Sequence, residues 1–205
     1  MVIFINKGEH MFSVNVDKIV EMTDKERESY ESLSKKMCES FTNKHYKLAV
    51  TGGGIKAFKL AYSIVRQGNR VLFVDGDISS EVFLGKYKLG KNMHGLVDYI
   101  KKPQKKYDLL CKSNEDKLDI IFTGTLDDGY VSDEEEMIMK SLLAKYENDY
   151  DVIVADSDPD GRIAKYCDGT IVIIDRKDYD EDSIAKYIEK LENSGCEVLG
   201  VIINE

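Results

Sequence analysis

Acidic residues follow two long apolar runs of this 205-residue sequence, in positions where carboxylates can hold a divalent cation. Asp75 and Asp77 end the run RVLFVDGD, and Asp156 ends the run YDVIVAD. Carboxylate oxygens are the ligands that Mg²⁺ prefers in proteins. In an active enzyme, Asp75 and Asp156 would bind the metal, and Asp77 and Asp156 would be the catalytic residues. The alternative is a turn-forming role, which is common for aspartates after strands.

A glycine loop, TGGGIKA at 51–57, precedes these aspartates and follows a short apolar run. In the phosphate-binding loop GxxxxGK[ST], backbone amides wrap the phosphates, the lysine neutralises them and the hydroxyl binds Mg²⁺. The candidate nucleotide-binding residues here are Gly52, Gly53, Gly54, Lys56 and Ala57. Only Lys56 fits the motif, because Ile55 stands at the last glycine position and Ala57 at the hydroxyl position. The loop is either a shortened anion cradle or a tight turn from strand to helix with a solvated lysine.

Unbroken Val/Ile runs alternate with amphipathic helical patterns along the rest of the chain. Strands that are apolar throughout are covered on both faces, so the pattern predicts a single α/β domain over residues 1–205. Its core is a doubly wound, mostly parallel sheet with helices on both faces. Ligands bind such sheets at the carboxyl ends of the strands. The predicted edge comprises 51–54, 75–77, 123–125, 156–159 and 175–177.

Two helices carry clear start signals. Residues 23–41 form a predicted N-terminal helix in which Thr23 and Glu26 complete a capping box. A second helix begins at the acidic run 133–136, where negative charge suits the helix dipole. Its apolar residues predict a buried face that includes Met137, Leu142 and Leu143.

Composition and charge exclude several classes of protein. The formal net charge is -9, which argues against general binding of nucleic acid. The sequence contains neither a secretory signal pattern nor a membrane-spanning apolar stretch. Its four cysteines are far apart and form no CxxC pair, which favours reduced thiols. These features predict a cytoplasmic protein.

The order and spacing of these motifs resemble the cytoplasmic domain of bacterial tyrosine kinases of the capsule and exopolysaccharide type. Those kinases are relatives of the MinD/ParA group of P-loop ATPases. QGNRVLFVDGD resembles their second Walker motif and YDVIVADSDP their Walker B strand. NMHGLVDYI, at 92–100, resembles their N-x-x-G-L segment, and ESYESLSKKM resembles their subunit-contact helix.

The resemblance implies a P-loop NTPase-like three-layer sandwich with ATP and Mg²⁺ as its cofactors. It also implies a membrane-anchored polysaccharide chain-length or adaptor protein as the partner, at the inner face of the membrane. The helix at 23–41 would pack on the domain or on a neighbouring subunit of a homo-oligomer.

The departures from this family fall on functional positions. The chain between Thr51 and Asp75 is about six residues shorter than in members with an intact P-loop. Ala57 replaces the Ser/Thr of the loop. Glu31 and Ser34 stand where the subunit-contact helix carries arginines. The P-loop is therefore predicted to be degenerate.

Three functions follow from these patterns. The first is a non-catalytic regulatory or scaffolding component of capsular or exopolysaccharide biosynthesis. The second is an active ATP-binding protein-tyrosine kinase or ATPase with a shortened P-loop, in which Lys56 neutralises the γ-phosphate. The third is a MinD/ParA-like positioning ATPase, which would need a basic DNA-binding face or a membrane-targeting helix; neither is evident in the sequence.

Overall fold

A computed structural model describes residues 4–5, 12–41, 43–79, 94–124 and 132–204. The strands are β1 Phe4–Ile5, β2 Phe12–Val14, β3 Tyr46–Thr51, β4 Val71–Gly76, β5 Cys111–Ser113, β6 Leu118–Ile121, β7 Val152–Ser157, β8 Gly169–Asp175 and β9 Val198–Asn204. The α-helices are α1 Asp24–Ser40, α2 Ile55–Arg66, α3 Leu96–Lys101, α4 Asp133–Tyr146 and α5 Glu181–Asn193. Short 3₁₀ turns cover Ala164–Tyr166 and Arg176–Asp178.

These strands form one sheet in the order β1-β2-β5-β6-β4-β7-β3-β8-β9. The run from β6 to β9 is parallel throughout, whereas β1 with β2 and β5 with β6 pair antiparallel. Every residue of β4 and β7 is buried, as expected for central strands that are covered on both faces. The prediction of a doubly wound, mostly parallel α/β sheet is confirmed.

Helices cover both faces of the sheet. Phe58 of α2 and Met37 of α1 lie in the same apolar cluster as Leu48 and Val50 of β3. On the other face, α3 and α4 pack against β4 and β7, and α5 packs against β3 and β8 through Leu191. Because successive side chains along each strand point to opposite faces of the sheet, they contribute to two separate layers of the hydrophobic core.

The N-terminal helix α1 begins as predicted. Thr23 Oγ1 accepts a hydrogen bond from the amide of Glu26 at 3.2 Å, and Glu26 Oε2 accepts one from the amide of Thr23 at 2.8 Å. The helix lies along α2, where Lys59 forms an ion pair with Glu26 at 3.2 Å. Its contact with a neighbouring subunit stays a prediction.

The predicted buried face of α4 is partly wrong. Leu142 and Leu143 are buried, but 53% of Met137 is exposed. Met139 takes the core position instead, because it lies three and four residues before the two leucines and so shares their side of the helix.

Candidate functional site

The carboxyl ends of β3, β4, β7 and β8 meet at one edge of the sheet, where the sequence predicts a site. Parallel pairing puts Asp75 of β4 directly beside Asp156 of β7, and Thr51 of β3 beside Ser157. The glycine loop leaves β3 at this edge. Residue 125 of the predicted edge lies outside the described residues, as do residues 92–93 of the segment NMHGLVDYI.

The path of the backbone requires the glycines of this loop. Gly52 and Gly54 have φ angles of +69° and +48°, a region that other residues rarely adopt. A Cβ atom on Gly52 would lie 2.5 Å from the carbonyl oxygen of Ile173, and one on Gly53 would lie 2.7 Å from Cγ1 of Val50. The tight turn from strand to helix therefore accounts for the glycine run without any ligand.

Lys56 is held at the neighbouring strand end. Its Nζ atom lies 2.5 Å from Oδ1 of Asp175, the last residue of β8. Asn204 Nδ2 donates to the same oxygen at 2.8 Å. The hydrogen bond from Lys56, followed by that from Asn204, lowers the pKa of the Asp175 carboxyl. Asp175 is thus an internal counterion for the one residue of the loop that fits the phosphate-binding motif.

Asp156 is a buried carboxylate without an ion pair among the described residues. Its side chain is 1% exposed, and Oδ1 accepts a hydrogen bond from the Gly54 amide at 3.1 Å. Within the described chain, Oδ2 has no hydrogen-bond partner. Burial, followed by the charges of Asp75 and Asp77, raises the pKa of Asp156 to about 8. The site therefore favours a proton or a cation at this position.

The two other predicted aspartates have different surroundings. Asp75 is 2% exposed and accepts a hydrogen bond from the Thr123 amide at 3.4 Å. Burial raises the pKa of Asp75 to about 6. Asp77 is half-buried, and its Oδ1 accepts from the amide of Ser79 at 2.9 Å and from its hydroxyl at 2.5 Å. Asp77 therefore shapes the turn after β4, as the turn-forming interpretation predicts.

A second ionic cluster follows β7, and its partners were not predicted from the sequence. Asp158 is 1% exposed, and its Oδ2 lies 3.6 Å from Nη1 of Arg162. Arg162 also contacts Asp160 at 3.3 Å, and Lys190 of α5 contacts Asp160 at 2.7 Å. The acidic DSDPD segment can be recognised in the sequence; Arg162 follows it within the same turn, whereas Lys190 comes from the later helix α5. The cluster ties the turn after β7 to α5.

The residues present do not match the set of ligands that a triphosphate with its cation requires in a P-loop. With Lys56 aligned to the motif lysine, the first motif glycine falls on Val50, which lies inside β3, and the last falls on Ile55, which begins α2. Ala57 is fully buried and carries no oxygen. No three His, Cys, Asp or Glu side chains of the described ranges are grouped so that they could hold a metal. Asp75 and Asp156, in register at the ends of β4 and β7, offer carboxylate ligands of the right chemistry.

Comparison with known proteins gives distant relatives that are named tyrosine-protein kinases. No protein-family model matches the sequence. The tyrosine-protein kinase CpsD of Streptococcus agalactiae serotype III is 25% identical over 160 residues, which are 75% of this chain and 69% of the relative. The tyrosine-protein kinase YwqD of Bacillus subtilis is 26% identical over 159 residues, which are 75% of this chain and 67% of the relative.

Solved structures share the fold. The chimerical protein CapA2B2 superposes with a TM-score of 0.74 at 17% identity, covering 94% of this chain and 92% of the other. The kinase domain of the Escherichia coli tyrosine kinase ETK gives 0.72 at 18% identity, covering 87% and 74%. The cobyrinic acid a,c-diamide synthase of Mycobacterium smegmatis, solved with an ATP analog and magnesium, gives 0.62 at 18% identity, covering 78% and 74%.

None of the helices in the described ranges has the length and apolar composition needed to cross a bilayer. The order of motifs, the distant relatives and the architecture agree with one another. In sequence the chain resembles the bacterial tyrosine-protein kinases, and it shares the fold of their solved kinase domains.

Proposed function

We propose that this chain is a non-catalytic regulatory or scaffolding protein of capsular or exopolysaccharide biosynthesis that keeps the kinase fold without turning over ATP. One observation carries the proposal: carboxylates of the protein already engage the groups that a phosphate would use. The Gly54 amide donates to Asp156, and the Lys56 ammonium is paired with Asp175. A phosphate entering the glycine loop would have to displace both carboxylates.

The local charge and the missing hydroxyl support the same proposal. Near neutral pH, Asp75 and Asp77 place negative charge at the sheet edge beside the loop, and Asp156 adds to it once the pH exceeds its pKa of about 8. This charge repels a triphosphate unless a cation lies between them. The position that supplies the Mg²⁺-binding hydroxyl of a P-loop holds Ala57 of α2, whose methyl group lies in the apolar core cluster with Val50 of β3. The cation would therefore lack one of its usual protein ligands.

A second candidate function, an active ATP-binding tyrosine kinase or ATPase, is favoured by Asp156. Its Oδ2 atom is buried without a partner among the described residues, and a divalent cation would satisfy it. In that function Asp75 and Asp156 would hold Mg²⁺, and Gly52, Gly53 and Gly54 would bind phosphate through their amides. Lys56 would have to leave Asp175 for the γ-phosphate.

The proposed setting comes from the relatives and the family that they represent. We propose that the protein works in the cytoplasm, at the inner face of the membrane, beside a membrane-anchored chain-length or adaptor protein. A homo-oligomer that uses α1 is part of the proposal, although Glu31 and Ser34 replace the arginines of the family's contact helix.

A titration with Mg-ATP tests the proposal. We expect no heat of binding in calorimetry and no change in melting temperature at millimolar Mg-ATP. Thermal shift is sensitive enough, since a ligand at 100 times its Kd stabilises a protein by about 2.7 kcal/mol.

ATP hydrolysis or autophosphorylation by the pure protein would contradict the proposal if Asp156→Asn abolished it and Asp160→Asn did not. Asp160 is a suitable control because its carboxylate is 54% exposed and pairs with Lys190, away from the glycine loop. The same result would establish the second candidate function.

A further inference from the structure

A cavity of about 280 Å³ lies between α1, α2 and the segment that precedes α1. We call it the helix cleft; it is lined by Val20, Met22, Arg27, Glu31, Tyr62 and Arg66, with Ser63 beside them. Arg66 ends α2, whereas the glycine loop precedes its first residue, and a helix of 12 residues is about 18 Å long. The helix cleft is therefore separate from the candidate nucleotide site.

Each of the two helices contributes residues to this cleft that are one helical turn apart. α1 and α2 run parallel, since Glu26 contacts Lys59 and Ser34 contacts Gln67 further along both helices. Arg27 and Glu31 are one turn apart on α1, as Tyr62 and Arg66 are on α2. This arrangement brings two guanidinium groups and one aromatic ring to the same cavity.

Neither arginine is neutralised inside the cleft. In the part of the chain that the structure describes, Arg66 forms no ion pair, and Arg27 pairs only with Asp24 at 3.8 Å. That Asp24 side chain is 96% exposed, so the pair is weak. Glu31 lines the cleft but forms an ion pair with neither arginine in the same ranges. In a chain of net charge -9, the cleft thus brings together two cationic groups and one anionic group.

Helix stability does not explain both arginines. Arg66 lies in the last turn of α2, where a cation is favourable to the helix dipole. Arg27 lies in the first turn of α1, where the dipole disfavours a cation and the neighbours Asp24 and Glu26 are acidic. The i, i+3 pair with Asp24 offsets part of this unfavourable charge, and an anion bound in the cleft would offset more of it.

We propose that the helix cleft binds an aryl phosphate, the chemical class to which the side chain of phosphotyrosine belongs. Guanidinium groups match a phosphate through paired hydrogen bonds. Val20, Met22 and the ring of Tyr62 supply apolar surface for an aromatic group, and the volume is near the lower limit of about 300 Å³ for small-ligand pockets.

The proposal rests on the proposed function in one respect. A kinase relative that no longer transfers phosphate would instead recognise tyrosines that an active kinase has phosphorylated. The helix cleft would then be the site at which the scaffold binds phosphotyrosine. A free aryl phosphate would bind there through the same contacts.

Titration of the full chain with phenyl phosphate, followed by NMR or calorimetry, tests this assignment. We expect saturable binding that Arg27→Gln and Arg66→Gln each weaken at least about tenfold, because each removes a charge-assisted contact. Glu31→Gln should tighten binding, since it removes a negative charge from the cleft. Lys35→Gln, an exposed change elsewhere on α1, is the matched control and should leave binding unchanged.

The ligand series distinguishes the sources of the phosphate. A phosphotyrosine peptide that binds more tightly than phenyl phosphate would identify a protein ligand, and equal affinities would identify a free small molecule; both support the site. No binding of phenyl phosphate, or binding that survives both arginine changes, would overturn it. Binding that Lys56→Gln abolishes and Arg27→Gln spares would place the anion in the glycine loop instead. The proposed function fails separately, on Mg-ATP turnover.

Discussion

Replacing Asp156 by asparagine is expected to stabilise the protein at pH 8 by an amount on the order of 2–4 kcal/mol. The carboxyl is 1% exposed and lies beside Asp75, and burial raises its pKa to about 8. Asparagine has no charge to bury, and its side-chain oxygen can still accept the hydrogen bond from Gly54. Urea denaturation between pH 4.5 and 8.5 measures the effect, which in melting temperature amounts to about 2–4 °C per kcal/mol.

The sign follows from proton linkage. A carboxyl whose pKa is raised by folding binds its proton more tightly in the native state than in the unfolded state. Its contribution to stability is complete below the ordinary pKa of 3.8 and is lost as the pH rises to about 8. Wild-type protein should therefore lose stability across this range. In the Asp156→Asn variant, only the loss of stability caused by Asp75 should remain, and this loss should be complete near the Asp75 pKa of about 6.

Asp160→Asn is the matched control. Asp160 is exposed and its pKa is lowered, chiefly by the hydrogen bond from Lys190, so its loss should not stabilise the protein at any pH. A flat pH profile for wild type, or a destabilised Asp156→Asn protein at pH 8, would contradict the burial argument. If Mg²⁺ alone stabilised wild type at pH 8 and not the variant, the carboxylate would be a metal ligand, which favours the second candidate function.

The central fold was predictable because its strands carry their own signal. β4 and β7 each begin with an unbroken apolar run and are buried throughout, so composition alone identifies them. The helix α1 was equally clear, because Thr23 and Glu26 mark its first turn within three residues. Each of these elements is specified by neighbours in sequence.

The strands β1, β2 and β5 at one edge of the sheet were not predicted, because they are short and form through their pairing partners. β1 has two residues, within the short apolar run MVIFI, and β5 has three, CKS, so neither is long enough to be recognised as a strand. β5 becomes a strand by pairing with β6, which follows it after a short turn, and with β2, which lies near the start of the chain. The helix α3 is only six residues long, too short for periodicity to show.

In the candidate site, too, some features were predictable from local sequence and others depend on the order of strands in the sheet. The gathering of aspartates at one edge follows from parallel strands, and the structure places Asp75 and Asp156 in register there. The pairing of Lys56 with Asp175 depends on β8 lying next to β3, an order that no local pattern encodes. That unpredicted pair is the contact on which the proposed loss of phosphate binding chiefly depends.

Gly52→Ala is expected to destabilise the protein by about 2–5 kcal/mol whether or not any nucleotide is present. The backbone at Gly52 has φ +69°, and a Cβ atom there would lie 2.5 Å from the carbonyl oxygen of Ile173. That oxygen belongs to β8 and cannot rotate away as a side chain would. Either β8 must shift or the turn must reorganise, and both changes disturb the pairing of β3 with β8.

The Gly68→Ala variant separates the cost of backbone strain at positive φ from the cost of a steric clash with β8. Gly68 has φ +99°, but no atom lies within 4 Å of the added Cβ, so this change carries backbone strain without a clash and should cost about 1 kcal/mol. Urea denaturation of both variants without nucleotide gives the comparison. Equal losses would mean that close packing against β8 does not fix the glycine. A larger loss for Gly52→Ala would mean that the sheet itself requires glycine in this loop, so that the glycine run need not indicate a bound phosphate.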